Sequence, residues 1–200
     1  MTLFMSLNLT QEPLIKINDW IEEAIKLKVP LAHAMSLSTV DASGQPSSRM
    51  VLLKSISNKG LIFFTDYESQ KGQLLEENPK GALNFWWPKT DKQIRVEGVC
   101  NKTSKKDSDN YFLTRSRGSQ ISASVSLQSQ EISNYKSLVN AAKTFEQETS
   151  GKNITRPERW GGYNLKPQKI EFWINEANRL HRRELFTLKS DEWHKTLLSP

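Results

Sequence analysis

The sequence predicts a mainly β protein of the α+β class, in which short antiparallel strands form a closed or nearly closed barrel and a few helices lie outside it. Two observations predict this fold. Strand-like runs follow one another through short turn signals, such as residues 41–44 and 58–60, and only four segments have helical character. Barrel closure would remove the unpaired edges of the outer strands.

The first element is an amphipathic helix over residues 14–27. Its apolar side chains, such as Ile17, Trp20 and Ile21, recur at helical spacing, and charged residues occupy most of the other side. Later helices are predicted over 70–77, where Asn78 and Pro79 end the helix, and over 105–114 and 131–148.

The strands are predicted from short runs bounded by turn residues. They span residues 34–40, 48–56, 61–65, 82–87, 93–101, 169–174 and 184–188, and a short segment covers 193–198. No linker-like stretch divides the 200 residues, so we expect one domain over 1–200, with a flexible N-terminal segment over 1–13.

Charge and cysteine usage restrict the partners. The formal net charge of +6 and the pI near 9.4 suit an anionic partner, but the basic residues are dispersed among acidic ones, which disfavours nucleic acid. Cys100 is the single cysteine, so the sequence predicts neither an internal disulfide nor a thiolate metal site. Without a run of about 18 apolar residues or a basic leader, we expect no membrane contact and a cytoplasmic location.

Two cations flank four apolar residues in one predicted strand, at Arg49 and Lys54. Alternation of side chains along a strand places them on opposite faces. The segment is either an ordinary strand with charged ends or a pair of cations that reach two different anions.

A second candidate site is the strand-to-helix junction that begins near Thr65. Backbone N–H groups at a helix start, together with the Thr65 hydroxyl and the Lys71 ammonium, can hold a phosphate. Many such junctions bind nothing.

A third candidate site combines Tyr111 and Arg115, which are four residues apart on a predicted helix, with Ser119 in the following loop. This segment is either a second phosphate pocket or a solvated helix end whose arginines interact favourably with the helix dipole. Near the C-terminus, Arg179 and His181 lie in a basic stretch that could equally be a plain surface loop.

The joint order of these segments resembles the pyridoxamine 5′-phosphate oxidase family. The resemblance rests on the strings RMVLLK, FFT, SQKG, KQIRVEG, YFLTRSRGSQI, VSLQS, WGGY, IEFW and RLHRR, in that order from about residue 34 to the C-terminus. It implies an FMN-binding split β-barrel and a homodimer with FMN at the subunit interface.

The resemblance also implies the site residues. FMN contacts are expected from Arg49, Met50, Val51, Leu52, Leu53, Lys54, Phe64, Thr65, Gln70, Lys71, Gln93, Gln128, Ser129, Trp173 and Arg183, partly from the other subunit. Substrate contacts are expected from Lys54, Tyr111, Arg115, Ser119, Arg179, Leu180 and His181. Of these, Arg179 and His181 would act as catalytic residues over the pyridine ring, and no metal is expected.

The implied reaction is oxidation of pyridoxamine or pyridoxine 5′-phosphate to pyridoxal 5′-phosphate. Hydride would pass from the substrate C4′ to flavin N5, and O2 would reoxidise the flavin and give H2O2. Three alternatives remain at this stage: an FMN oxidase of another heterocycle of the phenazine-biosynthesis type, a non-catalytic FMN- or pyridoxal-phosphate-binding protein, and a nucleic-acid-binding barrel.

Overall fold

The computed structural model describes residues 5–200, and its ten strands form one sheet. The strands are β1 (Met5–Leu7), β2 (Ala34–Val40), β3 (Pro46–Leu52), β4 (Ser55–Ser57), β5 (Gly60–Asp66), β6 (Lys80–Trp87), β7 (Lys92–Lys102), β8 (Trp160–Ile174), β9 (Arg182–Lys189) and β10 (Glu192–Leu197). The helices are α1 (Glu12–Lys26), α2 (Gln70–Glu77), α3 (Lys105–Leu113), α4 (Arg117–Val125), α5 (Tyr135–Glu148) and a short 3₁₀ helix (Ala177–Arg179).

The long strand β8 organises the sheet. It pairs with β7 along most of its 15 residues, with β5 through its first half and with β9 through its second half. The main path runs β1-β4-β5-β8-β7-β6-β2-β3, and every pairing is antiparallel except β1 with β4. The sheet thus divides at β8, and its curled half barrel agrees with the predicted mainly β fold.

The main core lies between the curled sheet and α1. The predicted amphipathic helix is confirmed, since Leu14, Ile17 and Ile21 are fully buried against sheet residues. Trp20 contacts Phe172 edge to face, with ring centroids 5.0 Å apart. Burial of each large apolar side chain contributes about 1.5–3 kcal/mol.

A second, smaller core lies under α3, α4 and α5. Its buried members are Phe112, Ile121, Ala123, Ile154 and Trp160. Helix α5 has no buried residue, so it packs only partly buried side chains, including Ala142 and Phe145, against this cluster.

Several element boundaries differ from the sequence prediction. The strand predicted over 48–56 is two strands, interrupted at Leu53 and Lys54, and α5 starts at Tyr135 because Asn134 caps it by accepting from the Ser137 N–H. The serine-rich helix α4 has weak helical propensity and was not predicted. It forms because Ile121 and Ala123 are buried in the second core.

Strand β8 begins at Trp160, nine residues before its predicted start. The sequence does not predict this first part of the strand because it contains Gly161 and Gly162, and glycine is a poor strand former. Here the glycines are required by close packing: a Cβ on Gly161 would lie 2.1 Å from Tyr67 Oη, and one on Gly162 would lie 2.5 Å from Thr103 Oγ1.

The N-terminal segment predicted to be flexible over 1–13 has regular structure in much of its described part. Met5–Leu7 forms β1, whose pairing with β4 provides backbone hydrogen bonds, and α1 already begins at Glu12. Residues 1–4 lie outside the described part of the chain. No helix within residues 5–200 is long and apolar enough to cross a membrane.

Candidate active site

The junction between β5 and α2 is built around the buried Lys71. Ser69 caps α2, where its hydroxyl accepts from the Gly72 N–H and donates to the Asp66 carbonyl at 2.6 Å. The Lys71 ammonium, on a side chain 8% exposed, donates to Thr65 Oγ1 at 3.2 Å and to Gln128 Oε1 at 2.6 Å. The predicted residues Thr65, Lys71 and Gln128 therefore meet in space.

Lys71 has only neutral acceptors. Burial, reinforced by the nearby Arg49 and partly opposed by Asp66, lowers the pKa of Lys71 to about 8. Asp66 is engaged with Arg159, whose Nε lies 3.3 Å from Asp66 Oδ2. A buried ammonium without a paired carboxylate favours an anionic ligand, so this junction, here called the lysine seat (Thr65, Ser69, Lys71 and Gln128), fits a phosphate group.

Arg49 extends the lysine seat. Its Nη1 donates to Thr39 Oγ1 at 2.7 Å and to the carbonyls of Leu37 and Ser47 at 3.3 and 3.2 Å, and burial lowers its pKa. Repulsion from the Arg49 charge contributes to the lowered pKa of Lys71. Arg49 thus adds a second cation to the surroundings of the lysine seat.

The remaining residues of the RMVLLK string divide between the core and the surface. The side chains of Val51 and Leu53 are buried in the main core, which leaves only their backbone atoms for a ligand. Met50 is 65% exposed. Gln70, the first residue of α2, and Ser129, which has a φ of 72°, are also exposed.

A pocket of about 330 Å³ collects the residues predicted to hold the substrate phosphate. We call it the phosphate pocket. Lys54, Tyr111, Arg115 and Ser119 all line it. Its remaining lining residues are Leu31, His33, Leu52, Phe64, Ser116 and Trp160.

Aromatic rings form one wall of the phosphate pocket. Phe64 stacks on Tyr111 with centroids 3.8 Å apart and on Trp160 with centroids 5.5 Å apart. The Arg115 guanidinium carbon lies 4.3 Å from the centre of the Trp160 ring. This stacking fixes the guanidinium plane and leaves its N–H groups for hydrogen bonds.

The cations of this pocket lack anionic partners. Arg115 Nη1 is buried without a hydrogen-bond partner, and burial lowers the pKa of Arg115. Burial and the nearby Arg115 also lower the pKa of Lys54. None of the ion pairs within residues 5–200 involves Arg49, Lys54, Lys71 or Arg115. An unpartnered buried guanidinium atom is costly unless a ligand binds it.

The other predicted residues form a separate group at the β8–β9 turn. Arg179 and Leu180 are exposed, and the His181 ring lies 4.5 Å from Trp173, with Nδ1 accepting from the Glu176 N–H. Trp173 pairs with Gln93 on β7 and with Arg183 on β9.

Arg183 is fixed by the buried carboxylate of Glu171. Its Nε donates to Glu171 Oε1 at 2.7 Å, and this contact raises the pKa of Arg183. Glu171 also forms an ion pair with Arg95, whose Nη1 lies 3.1 Å from Glu171 Oε2. The β8–β9 group therefore has a preorganised arginine of its own.

Within one protomer, the phosphate pocket and the β8–β9 group do not form one site. Trp160 in the phosphate pocket and Trp173 in the β8–β9 group lie near opposite ends of β8. At roughly 3.3 Å per residue they are up to about 40 Å apart along the strand. Arg179, Leu180, His181, Gln93, Trp173 and Arg183 thus belong to a different end of the protomer from Lys54, Lys71 and Arg115.

Sequence reasoning missed several residues of the site. His33 and Trp160 line the phosphate pocket, and Arg159 donates from Nη2 to the carbonyls of Ala123, Ser124 and Ser126. For Trp160 the sequence contained a signal, because WGGY is one of the strings that carry the family resemblance. His33 has no such local signal.

Comparisons with known proteins agree with this geometry. Residues 21–148 match a family model described as pyridoxamine 5′-phosphate oxidase, and residues 160–200 match one described as the pyridoxine 5′-phosphate oxidase C-terminal dimerisation region. The pyridoxine/pyridoxamine 5′-phosphate oxidase of Psychromonas ingrahamii is 43% identical over 96% of this chain and 88% of its own length. Pyridoxine/pyridoxamine 5′-phosphate oxidase 2 of Hydrogenovibrio crunogenus is 44% identical over 96% of this chain and 91% of its own length.

Solved structures have the same fold. PhzG from Burkholderia lata, in complex with tetrahydrophenazine-1-carboxylic acid, is 30% identical with a TM-score of 0.91, covering 96% of this chain and 95% of its own. A pyridoxamine 5′-phosphate oxidase-related, FMN-binding protein from Nostoc punctiforme is 17% identical with a TM-score of 0.80, covering 96% and 100%, which shows the split-barrel fold alone. The chain belongs to the pyridoxine/pyridoxamine 5′-phosphate oxidase family of FMN-dependent oxidoreductases.

Proposed function

We propose that this protein oxidises pyridoxamine or pyridoxine 5′-phosphate to pyridoxal 5′-phosphate, with FMN as cofactor and O2 as electron acceptor. The observation that carries the proposal is the phosphate pocket, where Arg115 Nη1 is buried without a partner and Lys54 has no carboxylate beside it. A phosphate monoester supplies the oxygens that both cations lack.

The lysine seat fits the FMN phosphate. Lys71 and Thr65 donate to it, the helix start adds backbone N–H groups, and Arg49 lies close by. FMN, when bound, supplies the acceptor for the hydride from the substrate C4′ and passes the electrons to O2, which gives H2O2. Two separate cationic sites in one protomer thus receive the two phosphates of cofactor and substrate.

The protein contributes positioning of the substrate. Lys54, Arg115, Tyr111 and Ser119 hold the substrate phosphate, and the Phe64 and Trp160 rings limit where the attached pyridine can lie. Arg179 and His181 would orient the pyridine from its other side. The exposure of Arg179 in a single protomer supports a role that begins only on assembly.

We propose that the active site is completed in a homodimer, with FMN at the interface. Support comes from the separation of the two groups along β8 and from the match of residues 160–200 to a dimerisation region. The exposed Trp86, which lies against Trp173, and the exposed Leu180 add apolar surface beside the β8–β9 group. The protomer would be a single domain and would act in the cytoplasm.

The test is an aerobic assay of the purified protein supplied with FMN. Pyridoxamine 5′-phosphate and pyridoxine 5′-phosphate are each expected to give pyridoxal 5′-phosphate, seen by its aldehyde absorbance, together with H2O2. FMN binding without either product would favour a non-catalytic binding protein and would refute the proposal.

A second candidate is an FMN oxidase of another heterocycle, favoured by the structural likeness to PhzG. The two candidates differ in the need for a substrate phosphate. Under the main proposal inorganic phosphate competes with the substrate through Lys54 and Arg115. Efficient oxidation of a phosphate-free heterocycle, insensitive to inorganic phosphate, would favour the second candidate.

A further inference from the structure

His33 lines the phosphate pocket beside Lys54 and Arg115. It directly precedes β2, and its carbonyl accepts from the Leu53 N–H at 2.9 Å, which holds it beside Lys54. The side chain is 8% exposed, and its imidazole makes no hydrogen bond to any other residue in the described range 5–200. A largely buried imidazole without a partner in a ligand pocket is available to a ligand.

Cations dominate the groups around His33. Lys54 reaches the pocket from the β3–β4 connection, Arg115 from the α3–α4 connection, and the phenol of Tyr111 from α3. Ser116 and Ser119 contribute neutral hydroxyls. No Asp or Glu is among the pocket's lining residues.

Without a ligand these surroundings keep His33 neutral. Burial, followed by the charge of Lys54, lowers the pKa of His33 below its usual value of 6.5. A phosphate dianion in the pocket would reverse the local field, because its charge outweighs that of the nearest cation. The protonated imidazole would then be favoured and would donate a stronger, charge-assisted hydrogen bond.

We propose that His33 is a further ligand of the substrate phosphate and that it takes up a proton when the phosphate binds. The inference rests on the proposed function, since it assumes that the phosphate pocket receives the substrate phosphate. It assigns a specificity-determining residue that responds to pH, next to the permanently charged Arg115.

The consequence is a pH-dependent affinity for dianions. Because binding takes up a proton, affinity falls as pH rises from the pKa of His33 in the free protein to its higher pKa in the complex, and it levels off above that. Phosphate esters themselves gain a proton near pH 6, which complicates their use as a probe. Sulfate avoids this problem, because it keeps its two charges across this range.

The direct test is an NMR titration of the imidazole Cε1–H signals of the FMN-loaded protein, with and without sulfate. The chain has three histidines, so His33 can be assigned by elimination with H181N and H194N. Saturating sulfate is expected to raise the pKa of His33 by about one unit or more and to leave the Cε1–H chemical shift of the exposed His194 unchanged. The rise should disappear in R115A.

The second test is the dissociation constant of sulfate at about pH 5.5 and about pH 8.5. From the lower to the higher pH, sulfate affinity is expected to weaken by roughly five- to tenfold in the wild-type protein and by less than about twofold in H33N. H194N is the matched control and should behave like wild type. If the sulfate dissociation constant of H33N keeps the pH dependence of wild type, Lys54 is the group responsible and the inference is overturned. The inference is also overturned if bound sulfate leaves the titration of His33 unchanged.

The aerobic assay separates this inference from the proposed function. If the protein makes no pyridoxal 5′-phosphate but its His33 titration responds to sulfate, the proposed oxidase activity is refuted and the role of His33 as a phosphate ligand stands. An active oxidase whose His33 ignores sulfate would refute the role of His33 alone.

Discussion

Lys71 is a buried ammonium whose charge depends on pH within the working range of most proteins. Its pKa of about 8 arises from burial and from Arg49. In the free protein Lys71 therefore loses its proton as pH rises through about 8. An FMN phosphate bound at the lysine seat would stabilise the ammonium and raise that pKa, so FMN binding would take up a proton at higher pH.

FMN affinity should consequently weaken by about tenfold between pH 7 and pH 9. K71M should bind FMN more weakly at pH 7 and should lose this slope, because the titrating group is gone. Flavin fluorescence quenching measures both constants. An equal slope in the variant would show that another group is responsible.

Lys54 and Arg115 belong to the phosphate pocket, away from the lysine seat. K54A or R115A should each raise the KM for pyridoxamine 5′-phosphate by roughly 10- to 100-fold, the value of one or two hydrogen bonds to a charged group. FMN affinity should change little. Steady-state kinetics and flavin titration together check the prediction, and equal loss of both functions, or of neither, would contradict the division into two sites.

At the scale of elements, α4 links the two cationic sites. At its N-terminal end Ser116 donates to Ser119 Oγ at 2.9 Å in the phosphate pocket, and Arg117 binds the carbonyls of Thr149 and Lys152. At its other end Arg159 caps the carbonyls of Ala123, Ser124 and Ser126 and pairs with Asp66. The cap thus sets the start of the loop that brings Gln128 to Lys71.

We expect R159M to lower the free energy of unfolding by roughly 2–4 kcal/mol, because a buried carboxylate and three carbonyls lose their partner. FMN affinity should fall as well, since Gln128 loses its fixed position. R117M is the matched control at the opposite end of the helix and should lose stability without loss of FMN affinity. Denaturant unfolding and flavin titration distinguish the two. Equal effects on FMN in both variants would mean that α4 acts only through global stability.

At the scale of the whole molecule, the phosphate pocket and the β8–β9 group lie near opposite ends of β8, and we propose that a homodimer joins them into shared active sites. In a homodimer with two shared sites, an R115A subunit and an R179A subunit have complementary defects. One site of their mixed dimer holds both substitutions and the other holds neither.

Co-expression of R115A with R179A should therefore restore about a quarter of wild-type activity, since half of the dimers are mixed and half of their sites are intact. Each variant alone should remain nearly inactive. Activity per subunit, with sedimentation to confirm the dimer, is the measurement. No recovery in mixed dimers would indicate that each active site comes from one protomer.

Local sequence patterns were sufficient to predict α1, α2, α3 and most strands, because hydrophobic periodicity and turn signals depend on only a few neighbouring residues. The argument from alternation along one strand was wrong for Arg49 and Lys54, because β3 ends at Leu52 and Lys54 lies in the connection to β4. The resemblance to a family supplied what no local pattern shows, namely that Tyr111, Arg115 and Ser119 share a pocket with Lys54.

Tertiary structure decided the rest. Helix α4 exists because the second core buries one face of a sequence with weak propensity, and the glycine-rich start of β8 exists because Tyr67 and Thr103 pack closely on it. His33 and Trp160 join the phosphate pocket through contacts between residues far apart in sequence. The sequence by itself determined which cations are present and where they stand along the chain. Only the folded sheet determined which cations are buried without partners, because burial depends on the packing of distant elements.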